Sequence, residues 1–123
     1  MIYGIGVDIV EIDRIRDAVD RWGERFLRRV FTEHEIAYSY KKKEPYLPLS
    51  VRFAAKEAFI KAISAEIHLA LNEIEVINRE GGQPFIEVKG RLKTFFEERS
   101  IRRVHLSMSH ERKYGMACVV VEK

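Results

Sequence analysis

The sequence predicts an α+β fold: a small, mainly antiparallel sheet packed with helices, in a single domain spanning residues 1–123. Three observations lead there. A chain of 123 residues has room for one core, and dividing it would leave two marginal ones. Its apolar periodicity switches along the chain between strand-like and helical patterns. Finally, Asn78-Arg79-Glu80-Gly81-Gly82-Gln83-Pro84 separates two short strand-like runs as a hairpin connection would.

The elements follow in order. Ile2 to Ile9 is apolar, β-branched and glycine-containing, which predicts a buried strand. From Asp13 to about Trp22 the period becomes helical, with Ile12, Ile15, Val19 and Trp22 on one face. Phe26 extends that face unless Gly23 breaks the helix. Arg14, Arg21, Arg25 and Arg28 then share a second face, with Asp13, Asp17, Asp20 and Glu24 beside them. Thr32-Glu33-His34-Glu35 has the Thr-x-x-Glu form of a capping box, so a second helix begins near Glu33 and fades before Pro45. Good helix formers predict a third helix from about Leu49 to Ser64, able to continue through Ala65. Strands at Ile74–Ile77 and Phe85–Val88, a helix near Arg91–Arg99, and strands at Val104–Ser109 and Gly115–Glu122 complete the chain.

Composition narrows the function classes. With 22 Lys+Arg against 19 Asp+Glu, the balance permits an acidic partner without demanding one. The single cysteine, Cys118, rules out an intrachain disulfide and is expected to be a buried strand thiol. No stretch approaches the ~18–20 apolar residues that cross a bilayer, and no basic segment precedes the apolar start, so a soluble, cytoplasmic protein is expected.

Two carboxylates stand in unusual settings. Asp8 interrupts the apolar Gly4-Ile5-Gly6-Val7-Asp8-Ile9-Val10, where a charge must reach a strand end, a partner or a metal. Glu57 sits in Arg52-Phe53-Ala54-Ala55-Lys56-Glu57-Ala58-Phe59-Ile60-Lys61-Ala62, a helix otherwise apolar and basic. Each has an ordinary structural explanation. Asp8 suits an exposed strand end, and Glu57 followed by Lys61 is the favourable i to i+4 ion pair. Together they suit a hard cation such as Mg²⁺, which takes one or two carboxylates and completes its shell with water and phosphate. Lys61 and Arg52 are then candidates to hold phosphates. His34, His68, His105 and His110 lack zinc-site spacing. His110 closes a predicted strand, which suits a binding residue and a hydrogen-bonded structural histidine equally. Gly81-Gly82 is a turn, since no Lys-Ser/Thr follows it.

The motifs closely resemble one family. Gly4-Ile5-Gly6-Val7-Asp8-Ile9-Val10-Glu11-Ile12-Asp13-Arg14-Ile15 is similar to the opening signature of the holo-acyl-carrier-protein synthases, small bacterial 4′-phosphopantetheinyl transferases. Phe31-Thr32-Glu33-His34-Glu35, the Arg52–Ala62 segment and Leu106-Ser107-Met108-Ser109-His110 resemble the family's other motifs in order, over nearly the whole chain.

The resemblance implies a 4′-phosphopantetheinyl transferase-like fold. It also implies transfer of phosphopantetheine from coenzyme A to a serine of apo acyl carrier protein, in support of fatty acid biosynthesis. It implies Mg²⁺ on Asp8 and Glu57, with Glu57 and Lys61 catalytic and coenzyme A held by Arg52, Lys61, Ser109 and His110. Arg14, Arg21, Arg25 and Arg28 would dock the acidic carrier protein. A ring-shaped homotrimer with sites at subunit boundaries is implied too, with Gly115–Val121 a candidate for its core. The chain departs from the family where a Gly-Thr/Ser-Gly turn is usual. Ile63-Ser64-Ala65-Glu66-Ile67 stands there instead, and altered loop geometry or coenzyme A affinity is expected.

Two other classes compete. A small basic nucleic-acid-binding module would use Arg28-Arg29, Lys41-Lys42-Lys43 and Arg102-Arg103, although the aromatics are not interleaved with these bases. A non-catalytic assembly protein would carry the carboxylates as ordinary surface residues and would not be stabilised by Mg²⁺ and coenzyme A.

Overall fold

A computed structural model describes residues 1–123. Strand β1 (Ile2–Glu11) runs into α1 (Ile12–Trp22), followed by α2 (Glu24–Val30), α3 (Glu33–Tyr40) and the long α4 (Tyr46–Ala62). A 3₁₀ turn at Leu71–Glu73 leads to β2 (Glu75–Asn78), β3 (Pro84–Glu87), α5 (Arg91–Arg99), β4 (Arg103–His110) and β5 (Tyr114–Glu122). The sheet order is β1-β5-β4, wholly antiparallel, and β2-β3 forms a separate hairpin. The α+β class is as expected.

Helix α4 is the hub of the fold. It packs against the inner face of the three-stranded sheet, with Ala54, Ala55, Ala58 and Phe59 fully buried. Its start, at Tyr46 rather than Leu49, takes in Pro48. A first-turn proline is tolerated because its missing N–H would have had no partner there.

The opening strand is only half buried. Gly4, Gly6, Asp8 and Val10 face α4, while Ile5, Val7 and Ile9 point outward and are 59%, 53% and 62% exposed. Helix backbone takes the place of side chains on the inner face. A Cβ at Gly6 would lie 1.8 Å from the Ala58 carbonyl oxygen, and one at Gly4 would lie 1.7 Å from that of Ala62. Cys118, expected to be buried, is half-exposed on the same outer face, paired in register with Val7.

Three further expectations are corrected. Gly23, at φ 56°, breaks the first helical run into α1 and α2, leaving Trp22 53% exposed. The predicted arginine face is therefore divided between two helices. Helix α4 stops at Ala62, and Ser64 and Ala65 take left-handed φ values of 53° and 52°.

The Thr32 capping box forms, and its Glu35 does more than cap. Glu35 and Lys56 are both fully buried, with Lys56 Nζ 2.6 Å from Glu35 Oε1. The Lys56 ammonium also donates to the carbonyls of Val30 (2.8 Å) and Leu71 (3.0 Å). Glu35 accepts from the amides of Thr32 (2.9 Å) and Val76 (2.7 Å). Burial draws the Lys56 pKa down and the Glu35 carboxylate holds it up. The pair ties α4 to α3, β2 and the segments around Val30 and Leu71. Lys56→Ala would leave the Glu35 charge buried and uncompensated, so chemical denaturation should show a loss of about 3–5 kcal/mol.

Candidate active site

The β1–α4 contact brings three of the singled-out residues together at the free edge of β1. Asp8 is the inward-facing position after Gly6, so it meets the flank of α4 rather than solvent. Glu57 and Lys61 lie one turn apart on α4 and share that flank. Lys61 does not bridge to Glu57 as helix spacing suggested. Its ammonium donates to Asp8 Oδ1 and to the Val7 carbonyl, each at 3.0 Å.

Glu57 is half-buried, and its pKa is raised above the usual carboxylate range. Loss of hydration is the largest cause, the Asp8 carboxylate adds to it, and the Lys61 ammonium opposes both. Two hard-oxygen donors that repel one another, with a cation already drawn onto one of them, make a pair that a divalent cation would stabilise. No group of three or more His, Cys, Asp and Glu residues comes together to ligate a metal. A metal here would thus take most of its shell from water or substrate oxygens, as Mg²⁺ commonly does.

The remaining phosphate-binding candidates lie elsewhere in the chain. Arg52 is five residues from Glu57, or about 140° around the helix at 3.6 residues per turn, and is only 2% exposed. It donates to the Pro48 carbonyl at 3.0 Å and to Asn78 Oδ1, and stacks on Tyr38. Its Nε is buried without a partner. Tyr38, Lys42, Asn78 and Met108 line a cavity of about 320 Å³ beside it. Ser109 and His110 are exposed at the end of β4, the opposite edge of the sheet from Asp8. In register, Val10, Gly115 and His110 form one row, putting His110 two strands from β1, about 10 Å across the sheet. Ser109 faces the outer side of β4 and His110 the inner. One chain therefore does not gather Arg52, Ser109 and His110 around Lys61.

The arginines differ in their engagements. Arg14 and Arg25 are exposed and make no ion pair, and Arg21 stacks on Trp22. Arg28 is held by Glu24 and Glu33, both at 3.0 Å. Trp22, Arg25, Phe26 and Arg29 line a cleft of about 390 Å³. Of these, Trp22 and Phe26 were expected on the apolar face of the first helix, Arg25 on the arginine face, and Arg29 only in the nucleic-acid-binding reading. Only the break at Gly23 could have revealed the cleft. In the turn after α4, Glu66 is not a free charge: Tyr3 donates to it and Arg99 approaches to 3.5 Å.

Known proteins share this fold along nearly the whole chain. The model of the 4′-phosphopantetheinyl transferase superfamily matches residues 4–119. A holo-[acyl-carrier-protein] synthase of Halothermothrix orenii is 48% identical over 124 aligned residues, covering 100% of this chain and 99% of its own length. Among solved structures, the holo-[acyl-carrier-protein] synthase of Neisseria meningitidis superposes with TM-score 0.92 at 38% identity, covering 100% of both chains. The Helicobacter pylori synthase in complex with coenzyme A gives TM-score 0.84 at 31% identity, covering 96% of this chain and 99% of that one. Fold, full-length identity and family model agree, and this chain belongs to the 4′-phosphopantetheinyl transferase superfamily.

Proposed function

We propose that this chain transfers the 4′-phosphopantetheine group of coenzyme A to a serine hydroxyl of apo acyl carrier protein, releasing adenosine 3′,5′-bisphosphate. The observation that carries the reading is the convergence of Asp8, Glu57 and Lys61 at the β1 edge, in a chain whose relatives are synthases of this kind. Family membership favours it over the nucleic-acid-binding and purely structural readings. The protein would act in the cytoplasm, in support of fatty acid biosynthesis, and no helix is long and apolar enough to cross a membrane.

The chemistry follows from the groups present. A serine hydroxyl attacks the β-phosphorus of coenzyme A, and charge builds on the entering oxygen and on the leaving phosphate. Glu57, with its raised pKa, would take the serine proton. Lys61 is exposed and cationic, suited to neutralising the leaving phosphate. Asp8 and Glu57 would hold Mg²⁺, which supplies charge neutralisation at the phosphate oxygens when bound.

The other coenzyme A contacts would come from a second copy of the chain. Asp8, Glu57 and Lys61 lie at one edge of the sheet, and Ser109 and His110 at the other, with the partnerless Nε of Arg52 over on the far side of α4. A ring presents one edge to the next, and a homotrimer with sites at its boundaries fits this division. Ile5, Val7, Ile9 and Met116 give the open sheet face an apolar surface that a monomer would leave in water. Gly115–Val121 would contribute only in part to that contact, because Ala117, Val119 and Val121 point into the protomer's own core. Arg14, Arg21 and Arg25, with the Trp22–Arg29 cleft, would receive the acidic carrier protein. Arg28 has a weaker claim, since two carboxylates already hold it.

Intact-mass analysis of apo acyl carrier protein incubated with this protein, coenzyme A and Mg²⁺ tests the reading. A phosphopantetheine increment that EDTA abolishes is expected, and its absence across several carrier proteins would overturn the assignment. Asp8→Ala and Glu57→Gln should each abolish transfer while leaving the circular dichroism spectrum unchanged, and wild-type rates in both would remove the metal role. Arg14→Glu should raise KM for carrier protein several-fold with little change in KM for coenzyme A. In metal-free buffer Glu57→Gln should also raise Tm. A carboxyl whose pKa rises on folding costs the fold stability progressively as pH rises from its unfolded-state pKa, and in full above its raised folded-state pKa. The gain should therefore be full at neutral pH and vanish below the ordinary carboxylate range, and an equal gain at acid pH would contradict the titration.

A further inference from the structure

Lys61 makes two side-chain contacts, and both are of the kind a divalent cation seeks. Its ammonium takes one carboxylate oxygen, Asp8 Oδ1, and one backbone carbonyl oxygen, that of Val7, each at 3.0 Å. The carbonyl is available because β1 is an edge strand, paired only with β5. The Lys61 side chain is 55% exposed, whereas that of Asp8 is 17% exposed. The cation can thus swing out on its flexible stem, and the anion cannot follow it. Mg²⁺ binds oxygen at about 2.0–2.1 Å in strict octahedral geometry, and an ammonium hydrogen-bonded to the same carboxylate would lie against it, cation to cation.

We propose that Lys61 is a tethered stand-in for the divalent cation: it holds Asp8 while the site is metal-free, and the arriving metal expels it toward the substrate's phosphates. The inference rests on the metal reading given above and adds an exchange to it. Metal binding would then do two things at once, filling the carboxylate pair and freeing an ammonium for an anion. Neither requires movement of the buried frame, because only the exposed end of one side chain changes place. By linkage, an anion that captures the freed Lys61 strengthens metal binding by the same factor.

The test combines calorimetric Mn²⁺ titration of the coenzyme-free protein with mass-spectrometric acetylation of its lysines, with and without Mg²⁺. Lys61→Met removes the competitor, and Mn²⁺ should bind about two- to five-fold more tightly, the range expected for losing one exposed ion pair. In the wild type, saturating Mg²⁺ should raise acetylation of Lys61 several-fold and leave Lys93 on α5 unchanged. An unchanged Lys61 labelling rate, or an unchanged Mn²⁺ Kd in Lys61→Met, would overturn the exchange. Failure of Asp8→Asn to weaken Mn²⁺ binding would instead overturn the metal reading, and the exchange with it.

Discussion

The absence of side chains between β1 and α4 governs the rest of this structure. Gly4 and Gly6 bring strand backbone directly against helix backbone at Ala62 and Ala58, closer than any Cβ would allow. That contact fixes the spacing between Asp8, two residues beyond Gly6, and Glu57, one residue before Ala58. It also turns the strand's bulky residues outward, since the inner positions have no volume for them. An open apolar sheet face and a paired-carboxylate site are thus two outcomes of one packing decision. Interiors packed to this density have no slack for a rotamer change to absorb.

Lys56 and Glu57 are neighbours in sequence with opposite destinies. A step of about 100° around the helix carries Lys56 into the core, where Glu35 and two carbonyls satisfy it completely. The same step leaves Glu57 at a half-open edge, its burial only partly compensated. One residue sets the rotation of α4 and the other uses it. A buried ion pair is weak evidence of net stability, since its desolvation offsets much of the attraction. Its value in this fold is directional, because Lys56 reaches its carbonyl partners in only one orientation of the helix.

Much of this was legible in the sequence, and the failures share a cause. The capping box at Thr32, the helix at Arg91–Arg99 and the hairpin around Gly81-Gly82 follow from local chemistry, and each formed as expected. The grouping of Asp8 with Glu57 and Lys61 was legible because a charge in an apolar run needs a partner. Tertiary placement was not. Periodicity showed an apolar β1 but not that its glycines, rather than its isoleucines, would face the core. Helix spacing suggested a Glu57–Lys61 pair, but Asp8 competes from a strand distant in sequence and wins the ammonium. Arg52 looked like a phosphate ligand beside Lys61, although its position on the helix sends it to Tyr38 and Asn78 instead.

The turn after α4 bears on how this protein can vary. Ser64 and Ala65 both hold a left-handed backbone that L-residues adopt at a cost of roughly 1–2 kcal/mol each. The amides of Ser64, Ala65 and Glu66 are satisfied by the carbonyls of Lys61, Ile60 and Ile63, so the conformation is imposed by the helix end rather than by the two side chains. Drift at these positions is therefore asymmetric. Substitution by glycine relieves a penalty, whereas a β-branched residue deepens it, whatever ligand the turn faces. A bias toward small residues among natural variants at positions 64 and 65 would record backbone geometry, and should not by itself be taken as the mark of selection for binding.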